Sequence, residues 1–117
     1  MSGRVGYLAG IAAEEQVAAH YQRGGYRILA RRWRGQGGEL DLVGERDGTV
    51  VFIEVKKSRT HATAALRLSA RQIQRLMDGA ADYLGQLPNG LNTDTRFDVA
   101  LVDASGRIDI IENALIT

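Results

Sequence analysis

The stretch Glu39–Lys57, ELDLVGERDGTVVFIEVKK, consists of two apolar-rich runs hinged on Arg46-Asp47-Gly48-Thr49. Asp-Gly is a strong signal for a two-residue type I′ turn, because both central positions need positive φ. With that turn Arg46 pairs with Thr49. The register then sets Asp41 opposite Glu54, and Glu39 opposite Lys56. The expected strands are Glu39–Glu45 and Val50–Lys57, the latter rich in β-branched residues. Alternation puts Val50, Phe52, Glu54 and Lys56 on one face, and Val51, Ile53 and Val55 on the other. Both faces begin apolar, so this strand reads as central and largely buried.

Two charged side chains on an otherwise apolar face are costly unless they are paired or bound to a cation. Directly opposed carboxylates add repulsion. A divalent metal relieves both costs, and hard oxygen ligands such as Asp41 and Glu54 suit Mg²⁺ or Mn²⁺. Phosphodiester hydrolysis needs a metal to polarise the phosphoryl group and activate water. A nearby lysine, here Lys56, can orient or deprotonate that water and stabilise developing charge. The plain alternative is a Glu54–Lys56 salt bridge at a strand end, which Glu-x-Lys alone would favour. With Gly38-Glu39-Leu40-Asp41 on the preceding strand, the metal site is the better reading.

Working outward, a helix fits Gly6–Gln22 and ends at Gly24-Gly25, a pair suited to a helix C-terminus. Tyr26–Trp33 reads as a strand, and Arg59–Arg67 as a loop. A second helix fits Ala70–Gln86, with Ile73, Leu76, Met77, Ala80 and Leu84 at helical spacing. Ser69 is its expected N-cap, and Gln72 completes a capping box. Pro88-Asn89-Gly90 breaks the chain. Strands Arg96–Val102 and Arg107–Ile111 follow, joined by a turn containing Ser105-Gly106. The order α-β-β-β-α-β-β describes one α/β domain over residues 1–117, a mixed sheet with helices packed on it. In the first helix, projection at about 100° per residue puts Tyr7, Ile11, Val17, Ala18 and Tyr21 on one face. Glu14 falls within that stripe and Glu15 at its edge. A third metal ligand or supporting group, and a glutamate reaching solvent or an arginine, explain Glu14 equally well.

Hydrophobic residues make up 44% of the 117-residue chain and charged residues 25%, which argues against wholesale disorder. The absence of cysteine excludes disulfides, zinc-thiolate sites and cysteine nucleophiles. No apolar run approaches the ~20 residues that span a bilayer. The N-terminal stretch is a poor signal peptide, so a cytoplasmic protein without membrane attachment is expected. Net charge is only +1. Basic residues nevertheless crowd locally: Arg27, Arg31, Arg32 and Arg34; Lys56, Lys57 and Arg59; Arg67, Arg71 and Arg75. Such patches suit either a phosphate backbone or a solvated surface.

The assembled motifs resemble the YraN-like family, small bacterial proteins with a restriction-endonuclease-like fold similar to archaeal Holliday-junction resolvases. The resemblance runs from about Gly10 to Ala114. Its most specific parts are Gly38-Glu39-Leu40-Asp41-Leu42-Val43, Val51-Phe52-Ile53-Glu54-Val55-Lys56 and Arg96-Phe97-Asp98-Val99. It implies the PD-(D/E)xK nuclease pattern, with Asp41 and Glu54 as the acids, Lys56 as the lysine and Glu14 as the helical glutamate. It also implies a Mg²⁺- or Mn²⁺-dependent DNA endonuclease, with branched DNA as a candidate substrate and a homodimer as a candidate assembly. The metal ligands are then Asp41, Glu54 and Glu14. Lys57, Arg59 and Gln72 are candidate substrate contacts, although capping alone accounts for Gln72. The loop Ser58–Leu68 lacks the aromatic and glycine residues expected of a substrate guide. The rival readings are a non-catalytic nucleic-acid-binding module of the same fold, and a partner protein using its basic segments as an interface.

Other residues carry weaker signals. His20 reads as surface or packing, and His61 as solvent-exposed. Trp33, Tyr26 and Tyr83 read as core or rim, and Asp98 as a structural hydrogen-bonding group.

Overall fold

The Asp47-Gly48 turn closes with φ of 53° and 84°, the left-handed values a type I′ hairpin requires. The antiparallel register runs from Arg46↔Thr49 to Leu42↔Ile53, as expected from the turn. This computed structural model describes residues 2–57 and 69–114, with side chains from residue 10 onward. Arg59, His61, Arg67 and the expected loop lie outside the described residues.

The elements are α1 (Ser2–Arg23), β1 (Arg27–Arg34), β2 (Glu39–Arg46), β3 (Thr49–Lys57), α2 (Ala70–Leu84), β4 (Thr95–Val102) and β5 (Ile108–Ile111). A short 3-10 turn, Gly90–Asn92, precedes β4. The order matches the α-β-β-β-α-β-β expectation. The first helix begins earlier than Gly6, and α2 stops at Leu84 instead of Gln86. There Gly85 N–H donates back to the Ala81 carbonyl.

The strands lie in the order β1-β2-β3-β4-β5, with β3 central. Among the described strands only β3 and β4 run parallel, joined through the segment that carries α2. Alternation along β3 divides the core. Val51 and Ile53 pack with Leu42, Ala100 and α1 residues Ala13, Val17, Ala18 and Tyr21. Val50 and Phe52 pack with Leu40, Val43 and α2 residues Leu76, Ala80, Tyr83 and Leu84. Trp33 and Tyr26 are half-buried against these clusters. Among the described residues no helix is long and apolar enough to cross a membrane.

Two local features shape the end of the sheet near Asp41. At Gly38 an added Cβ would lie 2.2 Å from the Arg75 carbonyl oxygen and 3.1 Å from Gly79 N, so only glycine lets α2 sit this close to the start of β2. In β1 the register shifts between Ile28 and Ala30, and Arg32 adopts φ 49°, which non-glycine residues rarely do. The ladder steps from Arg31↔Leu42 to Trp33↔Leu40. Strict alternation is broken there, and both Arg31 and Arg32 reach glutamates of α1.

Asp98 is fully buried. Tyr21 Oη donates to its Oδ2 at 2.7 Å, and Arg96 donates to both oxygens at 2.9 Å. The Asn113 backbone N–H adds a fourth bond at 3.2 Å. Arg96 also donates to Tyr26 Oη at 2.8 Å. Burial and the bond to Asp98 push the Tyr21 phenol far above its ordinary range, and Asp98 holds the Arg96 guanidinium more firmly protonated. The expected structural role of Asp98 is therefore met by a closed network joining α1, β4 and the turn after β5.

Candidate active site

The β2–β3 ladder ends at Leu42↔Ile53, one step before Asp41 and Glu54. Instead of continuing the ladder, Asp41 turns its carboxylate inward, and Oδ2 accepts a hydrogen bond from Val55 N–H at 2.9 Å. That bond fixes Asp41 against β3 beside Glu54. The Glu54 carboxyl is pushed up to about 7, first by burial and then by the charge of Asp41, to which it is also hydrogen-bonded. Lys56 opposes this shift without cancelling it: its Nζ lies 3.4 Å from Glu54 Oε2. The three side chains thus meet at one end of the sheet, with Glu54 and Lys56 projecting from the same side of β3.

Glu14 reaches this region from α1. Both of its oxygens accept from Arg32 Nη1, at 3.0 and 3.2 Å, and its side chain is only 12% exposed. Burial raises its carboxyl, the Arg32 hydrogen bond lowers it, and Asp41's charge raises it further. Glu15 instead forms an exposed pair with Arg31 at 2.8 Å. Glu14 therefore shares the electrostatic field of Asp41, whereas Glu15 is held by Arg31.

Two clefts flank Asp41. One is lined by Glu39, Asp41, Glu54, Gln72, Arg75 and Leu76, between the sheet and α2. The other is lined by Arg32, Arg34, Glu39, Leu40 and Asp41. Gln72 both lines the first cleft and closes the capping box: Ser69 Oγ accepts from Gln72 N–H at 3.1 Å, and Gln72 Oε1 accepts from Ser69 N–H at 2.8 Å. Lys57 is exposed and stands beside Val102 in the β3–β4 register, away from the cleft lining. Glu39 does not pair with Lys56, because the ladder has already ended; it lies in both clefts and pairs with Arg34.

The donor set suits a hard divalent cation. Asp41 and Glu54 are carboxylates held together at a cost in burial and repulsion that a cation would offset. Among the described residues no group of three or more His, Cys, Asp or Glu is arranged to hold a metal, and Glu14 is engaged by Arg32. Two carboxylates are nevertheless a sufficient protein contribution for Mg²⁺, which usually keeps waters or borrows substrate phosphate.

Arg75 and Glu39 were not singled out as site residues by the sequence. For Arg75 a signal was present, since Gln72, Arg75 and Leu76 share one helix face by their three- and four-residue spacing. For Arg32 there was none: a left-handed residue inside a strand leaves no mark in composition or alternation.

The family model for "Uncharacterised protein family UPF0102" matches residues 13–102, a span that contains Glu14, Asp41, Glu54, Lys56 and Gln72. A UPF0102 protein of Cereibacter sphaeroides is 56% identical over 97% of this chain and 97% of its own length. A UPF0102 protein of Roseobacter denitrificans is 52% identical over 97% of this chain and 88% of its own length. One from Dinoroseobacter shibae is 41% identical over 91% and 79%. These matches are consistent with the YraN-like resemblance carried by the motifs. Identity at this level along nearly the whole chain leaves one conclusion: the chain belongs to the uncharacterised protein family UPF0102.

Proposed function

We propose that this protein is a divalent-metal-dependent DNA endonuclease of the PD-(D/E)xK type. The observation that carries the reading is that Asp41 and Glu54 share one cleft, with Lys56 3.4 Å from Glu54 and the Glu54 carboxyl raised to about 7 by burial and by Asp41. Asp41 and Glu54 would hold Mg²⁺ or Mn²⁺, with Glu14 in support once released from Arg32. When bound, the cation supplies Lewis-acid polarisation of the phosphate and a more acidic water. Lys56, 3.4 Å from Glu54, would orient the attacking water and offset charge developing on the phosphate. The Asp41–Val55 hydrogen bond keeps the first carboxylate from swinging away. DNA is the proposed partner, with branched DNA the preferred form, and a homodimer the proposed assembly. The proposed compartment is the cytoplasm, where such a substrate would be met.

The test is a cleavage screen in Mg²⁺ and Mn²⁺ over duplex, single-stranded, flap and four-way-junction DNA. Wild type is expected to cleave at least one substrate and Asp41→Ala none. Cleavage that persists in EDTA or in Asp41→Ala would sink the proposal.

One observation favours a second reading, a DNA-binding module without turnover. Glu54 and Glu14 each have an internal cation, Lys56 and Arg32, so the chain neutralises part of its own centre. Salt-sensitive DNA binding without cleavage in either metal would put this reading first.

A further inference from the structure

We infer that Arg75 is a phosphate anchor, and that a bound nucleic-acid strand runs along the α2 wall of the cleft and not across β1. This rests on the nuclease-fold reading above for the location of the reacting centre, and adds to it a substrate contact and a direction.

The first cleft holds three carboxylates, Glu39, Asp41 and Glu54, and on its α2 wall one guanidinium, Arg75. The other cations around the centre are already engaged. Lys56 is on Glu54, Arg32 on Glu14, Arg31 on Glu15 and Arg34 on Glu39. Arg75 has no ion pair or side-chain hydrogen bond among the described residues, although it faces an acidic wall. A guanidinium is well suited to a phosphate, which it can grip through two parallel N–H donors.

Position adds to chemistry. Gly38 and Gly79 bring β2 and α2 into backbone contact at Arg75 itself. The Arg75 main chain is therefore held at a fixed place relative to the strand that carries Asp41. Arg71 lies four residues earlier on α2, one turn away along the same side, and also has no ion pair among the described residues. The two form a short basic track leading out of the cleft. On the opposite wall a strand crossing β1 would have to displace Glu14 or Glu39 from its arginine. Among the described residues the α2 route displaces no ion pair of Arg71 or Arg75.

Anisotropy of a fluorescein-labelled DNA oligonucleotide, titrated with protein over a range of NaCl concentrations, tests this directly. Arg75→Ala should weaken binding about tenfold, the scale of one lost charge-assisted bond. It should also reduce the salt slope by about one. Arg75→Lys should recover most of the slope but only part of the affinity, and Arg34→Ala should bind within about twofold of wild type. Equal circular dichroism melts would show that the exposed helix position still folds. In the cleavage assay, Arg75→Ala should raise KM more than it lowers kcat. Wild-type affinity and slope in Arg75→Ala would overturn the inference, as would a larger loss in Arg34→Ala or a wild type that binds no DNA. The nuclease reading fails separately, if wild type binds DNA with this Arg75 dependence but cleaves none.

Discussion

Asp98 and Glu54 sit almost side by side in the sheet. Asp98 pairs in register with Ile53, and Glu54 with the next residue along, Val99. They face opposite helices and meet opposite fates. On the α1 side Asp98 is enclosed, with four donors on its two oxygens. On the α2 side Glu54 meets a second carboxylate, Asp41, as well as the cation of Lys56, and its proton affinity rises. A protein can bury a carboxylate stably when it supplies the donors. Where it supplies another acid instead, the missing charge must come from a proton or a cation. The contrast separates the structural carboxylate from the candidate functional one better than burial or sequence motif does.

The largest expected effect comes from breaking the satisfied side. Asp98→Ala leaves Arg96 and the Tyr21 hydroxyl without their acceptor and should destabilise the fold by about 3–5 kcal/mol in urea denaturation. A loss below about 1 kcal/mol would mean that Asp98 is no more structural than Glu54. On the other side the sign is reversed. Glu54 binds its proton more tightly in the folded chain than its ordinary value of 4.5, so between about 4.5 and 7 the folded state holds more protons than the unfolded one. Its contribution to stability is greatest below 4.5 and is lost as pH rises through 7, by up to roughly 3 kcal/mol. Glu14 acts in the same direction. Urea midpoints in EDTA should fall across this window, and Glu54→Gln should flatten the fall; a rise would mean that Lys56 dominates.

Divalent metal should recover what pH removes. Binding only to the folded state contributes about 2.7 kcal/mol at a concentration 100 times the dissociation constant. Mn²⁺ should therefore raise the melting midpoint at neutral pH. Asp41→Asn should abolish most of that rise while leaving the metal-free protein as stable or slightly more so. The smallest expected effect sharpens the structural side. Tyr21→Phe removes one of Asp98's four donors and should cost about 1–1.5 kcal/mol with no change in metal response. A shift in the Mn²⁺ midpoint would show that the two regions are coupled.

The hairpin was legible because its turn and its alternation are local. Asp47-Gly48 sets the register as far as Leu42↔Ile53, one step short of Asp41 and Glu54, and the Val55 N–H bond to Asp41 closes that step. The α2 cap was legible for the same reason, with Ser69 and Gln72 three residues apart. Helical projection singled out Glu14 but left open what it meets, because its partner Arg32 depends on a left-handed kink in another element. The Tyr21–Asp98–Arg96 network was legible only as a role for Asp98. Its members come from distant segments, and pairing at that range carries no sequence period. Arg75 was visible within a basic run, but its importance depends on the contact at Gly38, which only the packed structure shows.

The span between Tyr21 and Asp98, 77 residues, also has a kinetic consequence. A hairpin closed by a two-residue turn forms in about 1–10 μs. The Tyr21–Asp98 contact instead waits until almost the entire chain has been gathered, and contacts of such separation are made late. As the chain leaves the ribosome, β2 and β3 can therefore bring Asp41 and Glu54 together well before residue 98 has been synthesised. In such a hairpin the acidic pair would stand without its sheet neighbour β4, exposed to solvent that screens its repulsion. Only when β4 docks beside β3 does that repulsion become costly, and in the same step Asp98 reaches Tyr21. The cost of that charge contact would thus fall due only when the stabilising one is available to offset it.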